Sequence, residues 1–110
     1  MQVLRKWKNT WKTEKGDNLL YSILQSDEFL ETMDKLRKKD QTTYERVKNK
    51  MKEILEMPQH FKPLGNLLKY YRRAHVGHFV IVFRIVEEQN AVKFVAYDHH
   101  DNIYKRSFSE

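Results

Sequence analysis

Cysteine is absent from this sequence, which excludes disulfide bonds and thiolate metal sites and fits a reducing cytoplasm. Long hydrophobic runs are absent as well. The longest apolar stretch, residues 79–83, has the length of a strand and falls far short of the roughly 18–20 residues that span a bilayer. The basic N-terminus contains no apolar core, so a secretory signal is not expected. We therefore expect a cytoplasmic protein with no membrane segment.

The charge balance favours a polyanionic partner. The 110 residues suit a single domain, and 21 lysines and arginines against 15 acidic residues give a net charge of +6. A basic surface on a small domain favours RNA, DNA, a membrane surface or an acidic protein, and nucleic acid is the first interpretation. The alternative is a solvated lysine-rich surface without a ligand, as in many thermophilic proteins.

The sequence pattern of the first half of the chain predicts a basic extension followed by a strand and two helices. Residues 1–18 form the extension, expected to be flexible, and residues 19–110 form the domain. The domain is expected to open with a strand. Ser26 is the expected N-cap of a first helix, and Thr42 begins a capping box for a second. Pro58 is expected to end the second helix, so the two helices form a hairpin.

A strand with two different faces is predicted over residues 67–76. Side chains alternate along a strand, which places Arg73 and His75 on one face, with Tyr71 beside them. Arg72 falls on the opposite, more apolar face. The polar face is a candidate for contact with a polyanion.

Two further strands complete the predicted sheet. A turn at residues 76–78 leads to a central strand over 79–86, and a hairpin turn leads to a last strand over 91–97. Three aromatic residues are expected in the core: Phe79, Phe83 and Phe94. The predicted fold class is α+β in the order β-α-α-β-β-β, with the helix hairpin packed on one face of a mainly antiparallel sheet.

Two segments resemble the RelE/ParE toxin superfamily. The stretch KPLGNLLKYYRRAHVGHFVIVFRI, residues 62–85, is similar to the family's Lys-Pro-Leu loop, basic strand, Val-Gly turn and apolar strand. The stretch DHHDNIYKR, residues 98–106, occupies the place of its closing His-Arg-x-x-x-Tyr segment, with His99 matching the His and Tyr104 the Tyr. The resemblance covers about residues 19–106, looks most like an archaeal branch, and implies a RelE-like microbial RNase-type fold for the domain.

The resemblance also implies an activity and its partners. The expected protein is the toxin of a type II toxin–antitoxin system. It would be a ribosome-dependent endoribonuclease that cuts mRNA in the A site, inhibits translation and is neutralised by a cognate RelB-like antitoxin. A heterotetramer with the antitoxin is an expected assembly. Neither a cofactor nor a membrane partner is expected.

Two positions depart from the family's nuclease pattern. Val80 stands where many RelE-type nucleases carry an arginine, and His100 replaces the arginine of the closing segment. The ParE branch of the family poisons DNA gyrase instead of cutting RNA, so the fold alone does not decide the activity. The alternative function is therefore a non-nucleolytic ParE-like toxin, or an inactive homologue, that binds a protein such as gyrase.

Metal-independent cleavage of RNA needs a base, a cation that stabilises the phosphorane, and an acid that protonates the 5′-oxygen. Histidine, whose ordinary pKa is about 6.5, can act as base or acid near neutral pH. The residues predicted to be catalytic are Arg73, His75, His99, His100 and Tyr104. Arg73 is the expected phosphate stabiliser and Tyr104 an orienting group or proton donor. Only one of His99 and His100 is expected to point into the cleft where the RNA would bind.

A second set of residues is predicted to bind RNA through charge, stacking or hydrogen bonds. These are Lys62, Lys69, Tyr71, Arg72, His78 and Lys105. The plainer alternative is that such histidines and arginines are solvated surface groups. A zinc site is a further alternative, with three or four ligands drawn from His75, His78, Asp98, His99, His100 and Asp101. Neighbouring strand residues point to opposite faces, however, so His99 and His100 can both be ligands only if the strand ends between them. No metal is therefore expected.

Overall fold

The computed structural model describes residues 21–65 and 70–106. Its elements are β1 (Ser22–Gln25), α1 (Asp27–Lys39), α2 (Gln41–Glu56), β2 (Arg72–Val76), β3 (Phe79–Val86), β4 (Ala91–His99) and α3 (His100–Ile103). Short 3₁₀ turns occupy Pro58–His60 and Glu87–Gln89. The predicted order is confirmed, with α3 added after the last strand. The predicted extension, residues 1–18, lies outside the described residues, and no helix within them is long and apolar enough to cross a membrane.

The N-cap predicted at Ser26 is confirmed. Its hydroxyl oxygen accepts a hydrogen bond from Phe29 N at 3.0 Å, which satisfies one of the free amides of the first turn. The same hydroxyl donates to Val95 O at 2.7 Å, and Ser26 N donates to Phe94 O at 3.0 Å. One residue therefore starts α1 and fastens it to β4.

The capping box predicted at Thr42 is wrong, because α2 begins at Gln41 with Asp40 as its N-cap. The Asp40 carboxylate accepts hydrogen bonds from Thr43 N at 3.1 Å and from Thr43 Oγ1 at 2.7 Å. Aspartate is as good an N-cap as serine and better than threonine, and it occurs first in the chain. The predicted end of α2 is confirmed, since the helix stops at Glu56, two residues before Pro58.

The four strands form one sheet in the order β1-β4-β3-β2. Strand β1 runs parallel to β4, and the other two pairs are antiparallel, so the sheet is mainly antiparallel as predicted. The tight turn between β2 and β3 contains Gly77 with φ of +65°, a conformation that favours glycine.

Apolar side chains form a core on each face of the sheet. The helix-side core lies between the sheet and the helix pair and consists of Ile23, Phe29, Met33, Val47, Met51, Ile54, Leu55, Ala74, Val76, Ile81, Phe83, Val92, Phe94 and Tyr97. The smaller outer core consists of Leu64, Tyr71, Val80, Val82, Val95, Ala96 and Ile103. The core prediction is confirmed for Phe83 and Phe94 and wrong for Phe79, which is 39% exposed because it begins β3 beside an open groove.

Strand β4 contains one extra residue relative to β3. The pairing with β3 shifts between Val82 and Phe83, so Val95 has no partner in the register. Consequently Phe94 and Tyr97 both lie in the helix-side core, although they are three residues apart. The bulge reverses the alternation of side chains along the rest of β4.

Candidate active site

Strand β2 presents its two arginines on opposite faces. Ala74 and Val76 are buried in the helix-side core, so Arg72 lies on that side of the sheet. Arg73 and His75 lie on the outer face, and His75 is exposed. The alternation predicted for this strand is confirmed over residues 72–76, but the strand begins at Arg72, so the predicted start is wrong at residues 70–71.

Both arginines are held by carbonyl groups of the preceding loop. Arg72 Nη1 donates to Phe61 O at 2.6 Å, and Arg73 Nη1 donates to Pro63 O at 2.7 Å. The exposed Lys62 lies beside Arg73, because its carbonyl accepts from Arg73 N at 3.1 Å. Within the described residues, Arg73 Nε is buried and has no hydrogen-bond acceptor. An anionic oxygen bound beside this guanidinium would supply one.

The two adjacent histidines belong to different elements, because β4 ends at His99 and α3 begins at His100. His99 is the N-cap of α3, and its Nδ1 accepts a hydrogen bond from Asp101 N at 3.1 Å. His100 N donates to His78 O at 3.1 Å, which ties the start of α3 to the turn between β2 and β3.

Asp98 and Asn102 shape this junction, a role that the sequence pattern did not indicate. One Asp98 carboxylate oxygen accepts hydrogen bonds from His99 N at 2.7 Å and from Asn102 Nδ2 at 3.1 Å. The imidazole Nδ1 of His100 lies 2.9 Å from a carboxylate oxygen of Asp101. The four-residue spacing of Asp98 and Asn102 is typical of neighbouring side chains on a helix. However, a helix of 4 residues is too short to show apolar periodicity.

Imidazole and aromatic rings form a continuous series at the junction, which we call the ring chain. The His99 ring centre lies 6.3 Å from that of His78, 5.5 Å from that of Phe79 and 5.3 Å from that of His100. The His100 ring centre lies 6.1 Å from that of Tyr104, which is 47% exposed. The structure thus brings together four predicted site residues around one strand end.

Helix α3 packs on the outer face of the sheet, the face that carries the polar side chains of β2. Ile103 is buried in the outer core together with Val80 and Val82. These two valines pair with His75 and Arg73, respectively, and neighbouring strands lie about 4.8 Å apart. The outer surface between β2 and α3, which we call the β2–α3 cleft, is therefore bordered by Arg73 and His75 on β2 and by α3 on the other side. Phe79 and His99 of the ring chain lie on the helix side of the sheet.

The remaining predicted site residues surround the cleft or lie away from it. Lys105 is exposed immediately after the ring chain, and Tyr71 is buried in the outer core. Arg72 lies on the helix side of the sheet, as predicted. Lys69 is outside the described residues, so its role stays a prediction.

Three neighbouring side chains could hold a metal ion. Ligand atoms of His99, His100 and Asp101 lie within 4.8 Å of one another, and the strand does end between the two histidines. Imidazole and carboxylate suit zinc. However, His99 Nδ1 already accepts the hydrogen bond of the α3 N-cap, so an ion at that atom would break the cap. The expectation of a metal-free site stays a prediction.

Comparisons with known proteins identify relatives of this chain. A family model described as ParE toxin of type II toxin-antitoxin system, parDE, matches residues 23–104. A Methanocaldococcus jannaschii protein provisionally named toxin RelE4 is 41% identical over 75 residues, which cover 67% of this chain and 80% of the relative. A Methanosarcina mazei protein is 38% identical over 86 residues, which cover 77% of this chain and 100% of the relative.

Solved toxin structures have the same fold. The YoeB/ParE toxin from Agrobacterium tumefaciens matches with a TM-score of 0.64 at 11% identity, covering 71% of this chain and 96% of that protein. The isolated E. coli RelE toxin matches with a TM-score of 0.59 at 20% identity, covering 78% of this chain and 97% of that protein. At these identities the likeness concerns the fold alone.

Proposed function

The chain belongs to the RelE/ParE superfamily of type II toxin–antitoxin toxins, and we propose that it is a ribosome-dependent, metal-independent endoribonuclease that cuts mRNA in the A site and so inhibits translation. The observation that carries this proposal is that His100 and Tyr104, in contact with each other at α3, lie beside the outer face that carries Arg73 and His75. Groups that can transfer protons are concentrated there, opposite an arginine. A toxin that acts only by binding has little need of such a concentration.

Cleavage through the 2′-hydroxyl needs a base, an acid and a cation, and the residues that border the cleft would supply them. A base removes the 2′-hydroxyl proton and the 2′-oxygen bonds to phosphorus. The bond from phosphorus to the 5′-oxygen breaks, and an acid protonates that oxygen, leaving a 2′,3′-cyclic phosphate and a 5′-hydroxyl. His75 and His100, on opposite sides of the cleft, would act as base and acid. Arg73 would stabilise the phosphorane, and Tyr104 would orient the substrate or donate the proton.

The remaining site residues would support this chemistry without transferring protons. His99 would hold the start of α3 in place through its N-cap hydrogen bond. The exposed Lys62 and Lys105 would bind phosphates, and His78 would contact the RNA at the turn. The proposed roles of Lys69, Tyr71 and Arg72 in RNA binding are kept as predictions.

A cognate RelB-like antitoxin would neutralise the protein. One of the similar solved structures is the intact E. coli RelBE toxin-antitoxin complex, which matches this chain with a TM-score of 0.59. We expect a comparable complex here, with a heterotetramer as one assembly. A toxin that acts on translating ribosomes would work in the cytoplasm.

Primer extension on programmed ribosomes tests the proposed activity. Purified protein should produce new 5′ ends in mRNA within the A-site codon, and it should do so only when ribosomes are present. EDTA should leave the thermal unfolding of the isolated protein unchanged. Cleavage of free RNA at the same rate, or unfolding of the isolated protein on chelation, would contradict the proposal.

The second candidate function is binding of a protein such as DNA gyrase without cleavage. Val80 favours it, because this residue occupies the position of a family arginine and is 0% exposed beneath α3, where it cannot supply a cation to a substrate. A DNA supercoiling assay separates the two functions. Inhibition of gyrase by a protein that leaves ribosome-bound mRNA intact would replace the nuclease proposal with this one.

A further inference from the structure

The end of β4 and the first turn of α3 bring three metal-binding side chains together. We call His99, His100 and Asp101 the His–Asp cluster, because one ligand atom from each lies within 4.8 Å of the others. Along an extended strand the two imidazoles would point to opposite faces. Here the chain turns between them, since β4 ends at His99 and α3 begins at His100. Both imidazoles therefore approach the same carboxylate.

The close contact between His100 and Asp101 has the separation of two metal ligands rather than the geometry of a hydrogen bond. The Nδ1 atom of His100 is buried and, within the described residues, has no hydrogen-bond partner, although a carboxylate oxygen of Asp101 lies 2.9 Å away. Zinc bonds of about 2.0–2.2 Å at tetrahedral angles place two ligands roughly 3.4 Å apart. His99 Nδ1 lies 3.7 Å from the other oxygen of the same carboxylate. A zinc ion between these atoms would give the Nδ1 lone pair of His100 a partner.

The surroundings of the cluster suit a cation that enters from solvent. The side chains of His99, His100 and Asp101 are 39%, 45% and 65% exposed, respectively, so an ion can reach them. The carboxylate of Asp98, which accepts a hydrogen bond from His99 N, adds a second negative charge at the end of the strand. Two imidazoles and a carboxylate are a donor set for zinc, and a fourth position would stay open to water.

We propose that the His–Asp cluster binds zinc and that the bound ion switches off mRNA cleavage. The binding site stands on the geometry alone, whereas the inhibition rests on the proposed nuclease function. Zinc on Nδ1 of His100 would hold the remaining proton on Nε2, so that this imidazole can no longer take up a proton as base or give one up readily as acid. The protein that cuts RNA is the metal-free form.

Zinc would also act on the start of α3. His99 Nδ1 accepts the N-cap hydrogen bond from Asp101 N, and a zinc ion at this atom would replace that hydrogen bond. An imidazole–zinc bond is stronger than one capping hydrogen bond, so the exchange favours the ion. The first turn of α3 would then lose its cap, and the position of Tyr104 at the end of α3 would be less well defined. A single ion thus affects two groups of the candidate site.

Isothermal titration of the chelator-treated protein with zinc chloride tests the site. The unaltered chain should bind one ion. His99→Asn keeps a capping oxygen but loses the imidazole, and Asp101→Asn loses the carboxylate, so each should bind zinc at least about ten-fold more weakly. The control is His60→Asn, an exposed histidine outside the cluster, which should keep the full affinity. Circular dichroism and thermal unfolding establish that the variants are folded.

Primer extension on programmed ribosomes tests the inhibition. Saturating zinc should lower cleavage by the unaltered chain at least about ten-fold, and a zinc-selective chelator should restore it. Each variant is compared with its own rate without zinc, which separates sensitivity to zinc from any change in basal activity. Asp101→Asn should resist zinc, whereas His60→Asn should be inhibited like the unaltered chain.

The two experiments separate the site from its effect. Equal zinc affinity of the unaltered chain, His99→Asn and Asp101→Asn would overturn the site. Equal inhibition of Asp101→Asn would mean that zinc acts elsewhere, on the ribosome or another surface, and would overturn the inhibitory role. Zinc that binds the cluster and leaves cleavage unchanged, or accelerates it, would overturn that role as well. Should the chain cut no mRNA at all, the proposed function fails, and the titration still decides whether the cluster is a metal site.

Discussion

Substitution of Tyr104 should affect mRNA cleavage far more than ribosome binding. Its ring lies against His100 at 6.1 Å between ring centres, and its hydroxyl is the only group that phenylalanine would remove. We expect Tyr104→Phe to lower cleavage by about 10²–10⁴-fold, the usual span for one acid–base group, with ribosome binding nearly intact. Primer extension and co-sedimentation with ribosomes measure the two effects. Tyr21→Phe, beside the opposite edge of the sheet, is the control. Equal activity of the two variants would show that the Tyr104 hydroxyl takes no part in cleavage.

The two adjacent histidines should respond differently to substitution. His100→Ala should lower cleavage while leaving stability nearly unchanged. His99→Ala removes the N-cap acceptor of α3 and should cost about 1 kcal/mol of stability, with a secondary loss of cleavage. His99→Asn offers a substitute cap and should recover both properties. Urea unfolding and primer extension on the three variants check this division, and a His99→Asn protein as inactive as His100→Ala would assign His99 to the chemistry.

The first turn of α1 depends on a single hydroxyl group. Ser26 Oγ accepts from Phe29 N and donates to Val95 O in the bulge of β4. Ser26→Ala loses both hydrogen bonds, and we expect a decrease of about 1–2 kcal/mol in the free energy of unfolding. Ser22→Ala, an exposed serine of β1, should stay within about 0.5 kcal/mol of the natural protein. Indistinguishable urea midpoints for the two variants would show that the connection to the bulge contributes nothing.

The connection between α1 and α2 should make stability sensitive to acid. Hydrogen bonds from the Thr43 hydroxyl and amide lower the pKa of the Asp40 carboxyl. A carboxyl whose pKa is lower in the folded chain stabilises the fold above its ordinary pKa of about 4, and this contribution is lost as the pH falls through the folded value. Asp40→Asn keeps a capping oxygen that does not titrate, so its unfolding free energy should fall less below about pH 4. Parallel pH profiles for the two proteins, measured by urea unfolding, would contradict this.

At the scale of the whole molecule, the net charge of +6 should make binding to ribosomes weaken steeply with salt. Lys62→Gln and Arg73→Gln should each reduce the slope of log affinity against log salt by roughly one, because each would lose one phosphate contact. Lys48→Gln, on α2, is the control and should leave the slope unchanged. Arg72→Gln tests whether the arginine on the helix side of the sheet also contacts a phosphate. Affinity that does not depend on salt would exclude phosphate binding by this surface.

The sequence allowed the element order and the faces of β2 to be predicted, because both depend on local patterns. Alternation placed Arg73 and His75 on one face and Arg72 on the other, as the structure has them. The start of α2 could not be chosen in this way. Thr42 and Glu45 form a capping-box pattern, whereas Asp40, two residues earlier, is the better N-cap residue, so two local rules pointed to different starts.

The geometry of the candidate site depended on features without a local signature. Counting by two from Phe94 would put His100 on the helix side of the sheet, but the unpaired Val95 shifts Tyr97 and His99 to that side instead. The exposure of Phe79 likewise follows from how far α1 extends over the sheet, which apolar patterning does not report. Long-range pairing and helix placement therefore decided which histidine faces which partner.

The position of β4 in the sheet also affects when during its own synthesis the protein can become active. This strand lies between β1 and β3, and its first residue, Ala91, pairs with Ser22 of β1. The sheet therefore joins segments from opposite ends of the domain. Contacts of such large sequence separation form late, and β1 leaves the ribosome long before its partner exists. A nascent chain that has not yet exposed β4 would lack both a complete sheet and the β2–α3 cleft, because α3 follows β4 in the chain. A toxin with this connectivity would thus be harmless to the ribosome that makes it until its last strand has emerged.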